Sequence, residues 1–196
     1  MTARRRFLAL VVSALFALVA GTALAADTAE GFVKDHVTEL RRLLKDDANQ
    51  GQVDAVFDQM LDYDALAHDS LGKHWDEITP AQQAEFSSVL KELVRTSYRK
   101  NLKKTLDYSV AFKGEKPAKK ATLVLTVAKG KNVHEEPFSI DYLCHQVDGE
   151  WRVMDIRTEG SSLVGGYRSQ FNRSIKKDGF DALLAKMKKK LEKEQH

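Results

Sequence analysis

The residues with the most chemical potential stand close together near the C-terminus, in the stretch "DIRTEGSSLVGGYRSQF", residues 155–171. Asp155 and Glu159 supply two carboxylates, and Ser161 and Ser162 supply two hydroxyls beside Gly160. Paired carboxylates can act as general acid and base, and a serine at a sharp strand-to-helix turn can be a nucleophile. The nucleophile-elbow pattern G-x-S-x-G needs a glycine at 164, where this chain has valine. A serine just ahead of a helix also serves as a cap, its hydroxyl accepting a bond from an orphan backbone N–H. Asp155 and Glu159 equally suit turn and ion-pair roles, with Arg152, Arg157 or Arg168 as partners. The corner is an active site, a ligand-gripping corner or a plain strand-to-helix turn, and the surrounding elements must decide which.

Chemistry elsewhere in the chain does not assemble. His36, His68, His74, His134 and His145 are scattered, and His68 and His74 miss the helical face spacing of three or four. With a single cysteine, Cys144, no zinc-type ligand set forms. Cys144 and His145 are neighbours on a predicted strand, so their side chains point to opposite faces and cannot form a dyad. Phosphate loops and dinucleotide fingerprints are absent. No catalytic residue, metal or cofactor is expected.

The elements that position the corner follow from periodicity. The first residues read as an export leader: Arg4, Arg5 and Arg6, an apolar run from Phe7 to Val19, and a small-residue site at Ala23-Leu24-Ala25. Cleavage is expected before Ala26, leaving residues 26–196 as one domain in the periplasm. The apolar run is too short for a membrane span, so no permanent insertion is expected. "RRRFL" permits the twin-arginine route, but the strongly apolar core favours the general secretory one. An exported chain with one cysteine has no internal disulfide, so Cys144 is expected to be buried in a strand.

Removing the three leader arginines brings 31 basic residues down to the number of acids, 28, and the formal charge from +3 to zero. Charge and compartment together exclude nucleic acid as a partner. The remaining charge is uneven. Residues 26–92 hold 15 acids against 6 bases, and the rest is predominantly basic. Such asymmetry suits docking to charged partners, or simply solvated helix faces.

Apolar residues at helical spacing predict helices over 27–45, from Val53 to Leu61, and from Tyr63 to Leu71. Asn49-Gln50-Gly51 is expected to break the first from the second. Thr79, Pro80 and Gln82 form a capping-box start, and a long helix runs from there to about Lys104. The period then becomes two. Four strands are expected, beginning at Leu106, Thr122, Phe138 and Trp151, with "KGEKPAKK" as a polar loop and Asp148-Gly149 as a hairpin turn. Two helices, near 162–177 and 180–194, close the chain. This is an α+β layout with an antiparallel meander and helices on one face. Several strands are apolar on both faces. That suits a sheet curled round a cavity, and equally a sheet covered on both sides.

Apolar strand faces with tyrosines and no assembled chemistry point to a binder of apolar ligands. Five stretches then add up: "LGKHW" at 71–75, "TPAQQAEF" at 79–86, "RTSY" at 95–98, "WRVMDIRTEGSSLVGGYRSQF" at 151–171 and "KKDGFDALLAKMKKKL" at 176–191. In this order and spacing the chain resembles the MlaC-type family of periplasmic phospholipid-binding proteins, also called toluene-tolerance auxiliary components of ABC transporters.

The resemblance implies a four-stranded antiparallel curved sheet with helices packed around it, enclosing an apolar lipid pocket. It implies a shuttle carrying phospholipid between an outer-membrane lipoprotein complex and the substrate-binding subunit of an inner-membrane ABC transporter. On that reading one sheet face, with Val110, Phe112, Leu123, Leu125, Ile140 and Tyr142, lines the pocket. Met154, Ile156, Leu163 and Tyr167 join it near the last corner. Trp151, Asp155, Glu159, Gly160 and Ser162 become a structural corner at the pocket's edge. Gly160 allows the turn, Ser162 caps the helix, and the two carboxylates hold backbone or arginines. Gly165-Gly166 departs from the family pattern, and a looser corner or a helix starting near Tyr167 is expected there. The rival readings are a hopanoid or other apolar cargo, a carrier of a lipoprotein's acyl chains, and a lipid hydrolase built on Ser162.

Overall fold

A computed structural model describes residues 28–132 and 134–195, and the expected leader lies outside them. Helix α1 (Ala29–Leu43) starts where the Thr28 hydroxyl accepts the Gly31 N–H at 3.0 Å, and it buries the stripe Phe32, Val33, Val37, Leu40 and Leu43. It ends before the expected break at Asn49-Gln50-Gly51. Asp46 caps a short 3₁₀ turn, Asp47–Asn49, which runs straight into α2 (Gln50–Met60). Helix α3 (Tyr63–Leu71) stops at Gly72, whose φ of +55° favours glycine. Helix α4 (Pro80–Thr105) begins with the expected capping box. The Gln82 N–H donates to the Thr79 hydroxyl at 3.3 Å, and the Gln82 carboxamide accepts from the Thr79 N–H at 3.0 Å.

The sheet comprises β1 (Ser109–Ala118), β2 (Ala121–Lys129), β3 (Phe138–Val147), β4 (Glu150–Thr158) and a two-residue β5 (Ser161–Ser162). The strands pair in sequence order, all antiparallel, and the sheet stays open with β1 and β5 at its edges. Helices α5 (Leu163–Asp178) and α6 (Phe180–Gln195) complete the chain. None of the described helices is long and apolar enough to cross a membrane.

Two differences from the sequence reading have physical causes. The "KGEKPAKK" stretch is not a loop. Strand β1 continues through it to Ala118, leaving only Lys119-Lys120 as the turn. Gly114, at φ +95°, sits in a bulge between Phe112 and Glu115. Pro117 and the lysines are compatible with an edge strand, which needs no outward N–H bond. The fifth strand arises because Glu159 and Gly160 both have positive φ, 50° and 75°. Both central residues of a tight two-residue hairpin turn need that conformation. The turn folds Ser161 and Ser162 back onto Thr158 and Arg157.

The core sits between the helices and one sheet face, with Phe57, Phe86, Leu40, Leu43, Leu90, Val124 and Val153 almost fully buried. Ion pairs tie the helical layer together. Asp58 on α2 accepts from Arg95 and from Lys91 of α4, the latter at 3.0 Å, and Arg99 reaches Asp54 at 2.6 Å.

Candidate functional site

A cleft of about 210 Å³ opens between the second half of α4 and the end of the sheet. Ser97, Tyr98 and Asn101 come from α4, Ile140 and Tyr142 from β3, and Ile156 and Thr158 from β4. Ser161, Leu163 and Tyr167 come from the corner and α5. Beyond it lies a small chamber of about 20 Å³, lined by Val37 and Leu40 of α1 with Phe57, Met60 and Leu61. Tyr98, Tyr142 and Ile156 border both spaces and so form the neck between them.

Among the described residues no charged side chain lines either space. The polar groups, Ser97, Asn101, Thr158 and Ser161, are neutral hydroxyls and an amide. Burial pushes the Tyr98, Tyr142 and Tyr167 phenols up, so they stay uncharged. The ring of Tyr167 stacks on Phe171 at 5.3 Å between centroids, and Tyr98 meets Phe57 edge-on at 5.9 Å. Such a lining suits an apolar ligand and gives nothing for a charged group to bind deep inside.

The corner beside the cleft is held by its own polar groups. The buried Asp155 carboxylate accepts the Val164 N–H at 3.1 Å, and Arg157 Nε lies 3.5 Å from its other oxygen. Ser162 Oγ accepts the Gly165 N–H at 2.8 Å and caps α5. Glu159 donates its N–H to the Ser139 carbonyl at 3.1 Å, and its carboxylate accepts the Ser139 N–H. With both Ser162 and Asp155 capping it, α5 starts at Leu163 and runs through Gly165-Gly166, not from near Tyr167. Trp151 packs partly buried against the core at the far end of β4. The two serines therefore stand where a cap and a hairpin need them.

The sheet brings Ile140, Tyr142, Ile156, Leu163 and Tyr167 together in the cleft. It does not bring Leu123, Leu125 or Met154 there. Register explains this. Tyr142 pairs with Val124 and with Ile156, and directly opposed residues share a face. Leu123 pairs with Leu143, so Leu123 and Leu125 point to the opposite face. Strand β2 is apolar on both sides, and alternation alone cannot choose between them. Met154 falls at an irregularity in the β3–β4 pairing, between Asp155 and Val153. Val110 and Phe112 do share the Tyr142 face, through Ala128 and Thr126, but they line a separate groove at the β1 edge. The helix residues Tyr98, Ser97, Asn101, Val37 and Met60 were not anticipated in the lining. On the page of the sequence they are ordinary members of amphipathic stripes.

Two of the histidines and the cysteine serve the framework. Cys144 is fully buried, and burial pushes its thiol up to about 12. His145 Nε2 lies 2.7 Å from Asp62, the cap of α3. His74 is buried between Glu77, at 2.5 Å, and Asn172 of α5, at 3.0 Å. Arg168 Nε donates to the Asp69 carbonyl at 2.6 Å, and its stem packs against Gly72. The "LGKHW" and "YRSQF" stretches therefore meet each other. Among the described residues no cluster of three His, Cys, Asp or Glu could hold a metal.

A family model described as MlaC protein matches residues 33–189, from within α1 to within α6 and including the cleft and the corner. The chain belongs to the MlaC family. A solved structure of a phospholipid-binding protein from Ralstonia solanacearum, in complex with a phospholipid, has the same fold. The two align with a TM-score of 0.72 and 24% identity over 86% of this chain and 99% of that one. No curated protein matches the chain significantly. The MlaC fold is thus present here, with two glycines in the first turn of α5.

Proposed function

We propose that this protein is a periplasmic carrier that shelters the acyl tails of a phospholipid in the tyrosine-necked cleft. It carries the lipid between an outer-membrane lipoprotein complex and the substrate-binding subunit of an inner-membrane ABC transporter. The observation that carries this reading is the cleft itself, lined by apolar and neutral polar residues with no charged side chain among the described residues. Membership of the MlaC family and the phospholipid bound by the Ralstonia relative support it.

The energetics define what such a cleft must do. Two tails with roughly thirty methylenes cost about 24 kcal/mol to expose to water, at about 0.8 kcal/mol each. A carrier has to cancel nearly all of that, yet hold lipid no better than a bilayer does, or it never unloads. Neutral lining residues serve that balance, because they add no strong head-group anchor. The cleft and chamber are below the ~300–1,000 Å³ usual for small-molecule sites. Two acyl tails need more room than this, so loading requires the helical layer to move away from the sheet around the neck residues Tyr98, Tyr142 and Ile156.

The test is extraction. Protein lacking residues 1–25 is incubated with phospholipid vesicles, the vesicles are sedimented, and the lipid left with the protein is counted. About one phospholipid per chain is expected. None, with the protein folded, would remove the carrier reading. Released fatty acid would favour the hydrolase, and uptake of a hopanoid without phospholipid from vesicles containing both would change the cargo.

A further inference from the structure

A second groove lies at the opposite edge of the sheet, with a volume of about 430 Å³, larger than the cleft. Its floor is apolar: Val37, Leu106, Val110 and Phe112. Its wall is cationic: Arg41 and Arg42 from the last turn of α1, and Lys45 just beyond. Among the described residues no carboxylate lines it. We propose that this groove is a second binding site, for a single-chain amphiphile with an anionic head.

Three features of the fold build the groove. Strand β1 is an edge, so among the described residues no further strand covers Val110 and Phe112, which stay only partly buried under α1. The bulge at Gly114 keeps both residues on the α1 side, opposite Ala128 and Thr126. Arg41 is pinned there by donating to the carbonyls of Leu106 and Tyr108, at 3.2 and 2.7 Å, so its guanidinium stands at the groove wall. Arg42 shares its charge with Glu39 at 2.6 Å, and among the described residues Lys45 has no ion-pair partner. Cations at a helix C-terminus complement its dipole, but that accounts for the charges alone. It does not explain an apolar floor left open beside them. An acyl chain along the floor would remove that surface from water, and its head group would meet the cations.

The groove is distinct from the cleft but not remote from it. Val37 lines both the groove and the small chamber behind the neck, so one buried side chain separates the two apolar spaces. A head group that fits here carries negative charge, whereas the cleft mouth offers only neutral groups. The shared ligand chemistry is one acyl chain with a carboxylate or a phosphate. A fatty acid and a lysophospholipid are its two sources.

The experiment measures binding of palmitate, of palmitoyl lysophosphatidylglycerol and of uncharged hexadecanol by calorimetry, on the chain lacking residues 1–25. The wild type is compared with R42E/K45E, and with Leu163→Asp as the cleft variant. The wild type is expected to bind one or both anionic probes, whichever head chemistry fits, and hexadecanol more weakly. R42E/K45E is expected to weaken the anionic probe by at least about tenfold while keeping its phospholipid. L163D is expected to do the reverse. If charge reversal unsettles α1, R42Q/K45Q makes the same comparison. Unchanged affinity in the charge variants overturns the proposal, as does loss of probe binding in L163D, one-for-one displacement of the probe by phospholipid, or no binding of either anionic probe. Charge-dependent probe binding by a protein that takes up no phospholipid would uphold the groove and remove the carrier reading.

Discussion

Leu163→Asp separates folding from lipid binding more cleanly than other substitutions in the cleft. Leu163 is the first residue of α5, half-buried in the cleft wall, and the first turn of that helix contains no acid. An aspartate there sits at the favourable end of the helix dipole, worth about 0.3–1 kcal/mol, which offsets much of the lost packing. The same carboxylate would face the acyl tails. Loading would forfeit a leucine contact of about 1.5–3 kcal/mol and desolvate a charge at a further several kcal/mol. At about 1.4 kcal/mol per factor of ten, the loss is at least a hundredfold in affinity. The assay pairs a thermal melt by circular dichroism with lipid counting after extraction from vesicles. The melt is expected to stay within a few degrees of wild type, with lipid falling to a small fraction of one per chain. A native melt with full lipid content would show that the cleft is not where the tails lie.

Four further outcomes follow from the geometry. Ser162→Ala removes the α5 cap, about 1 kcal/mol, and lowers the melting temperature by about 2–4 °C. Gly72→Ala forces a side chain into φ +55° with its Cβ 3.4 Å from Arg168, and costs about 1 kcal/mol or more in chemical denaturation. Cys144 reacts with a thiol reagent at pH 8 only after denaturant is added, because burial raises its thiol to about 12; rapid native labelling would contradict the packing. At Asp58 burial raises the carboxyl, but the bonds from Arg95 and Lys91 outweigh it and the net shift is downward. The unfolded state therefore binds that proton more readily. The stability this provides is present above the ordinary value of 3.8 and is lost as pH falls through the lower folded value. Asp58→Asn should flatten acid unfolding in that range, which a pH series of urea melts would register.

Much of the fold is legible in the sequence because local signals and tertiary packing agree. Thr79-Pro80-Gln82 specifies the start of α4, and Asp148-Gly149 specifies a hairpin whose two residues have positive φ, 52° and 85°. What was not legible depends on neighbours. Lys113 to Pro117 has the composition of a loop, and becomes strand only because it lies at a sheet edge beside β2. The two apolar faces of β2 differ only in what covers them, so Leu123 and Leu125 could be distinguished from Val124 only by register. Tyr98 appears as one of two aromatics on α4, beside Phe86. Its place at the neck follows from the packing of α4 over Tyr142 and Ile156. At the corner the sequence offered a turn at Gly160 and a cap at Ser162 beside catalytic and ligand-gripping alternatives, and the fixation by Asp155 through the Val164 N–H required the fold.

The most direct measurement is native mass spectrometry of the protein purified from its native host, followed by extraction and identification of whatever it carries. The expected result is a mass increment of one two-tailed phospholipid per chain, lost in Leu163→Asp. A folded protein with no bound lipid, or with fatty acid and lysolipid in place of intact phospholipid, would contradict the carrier assignment.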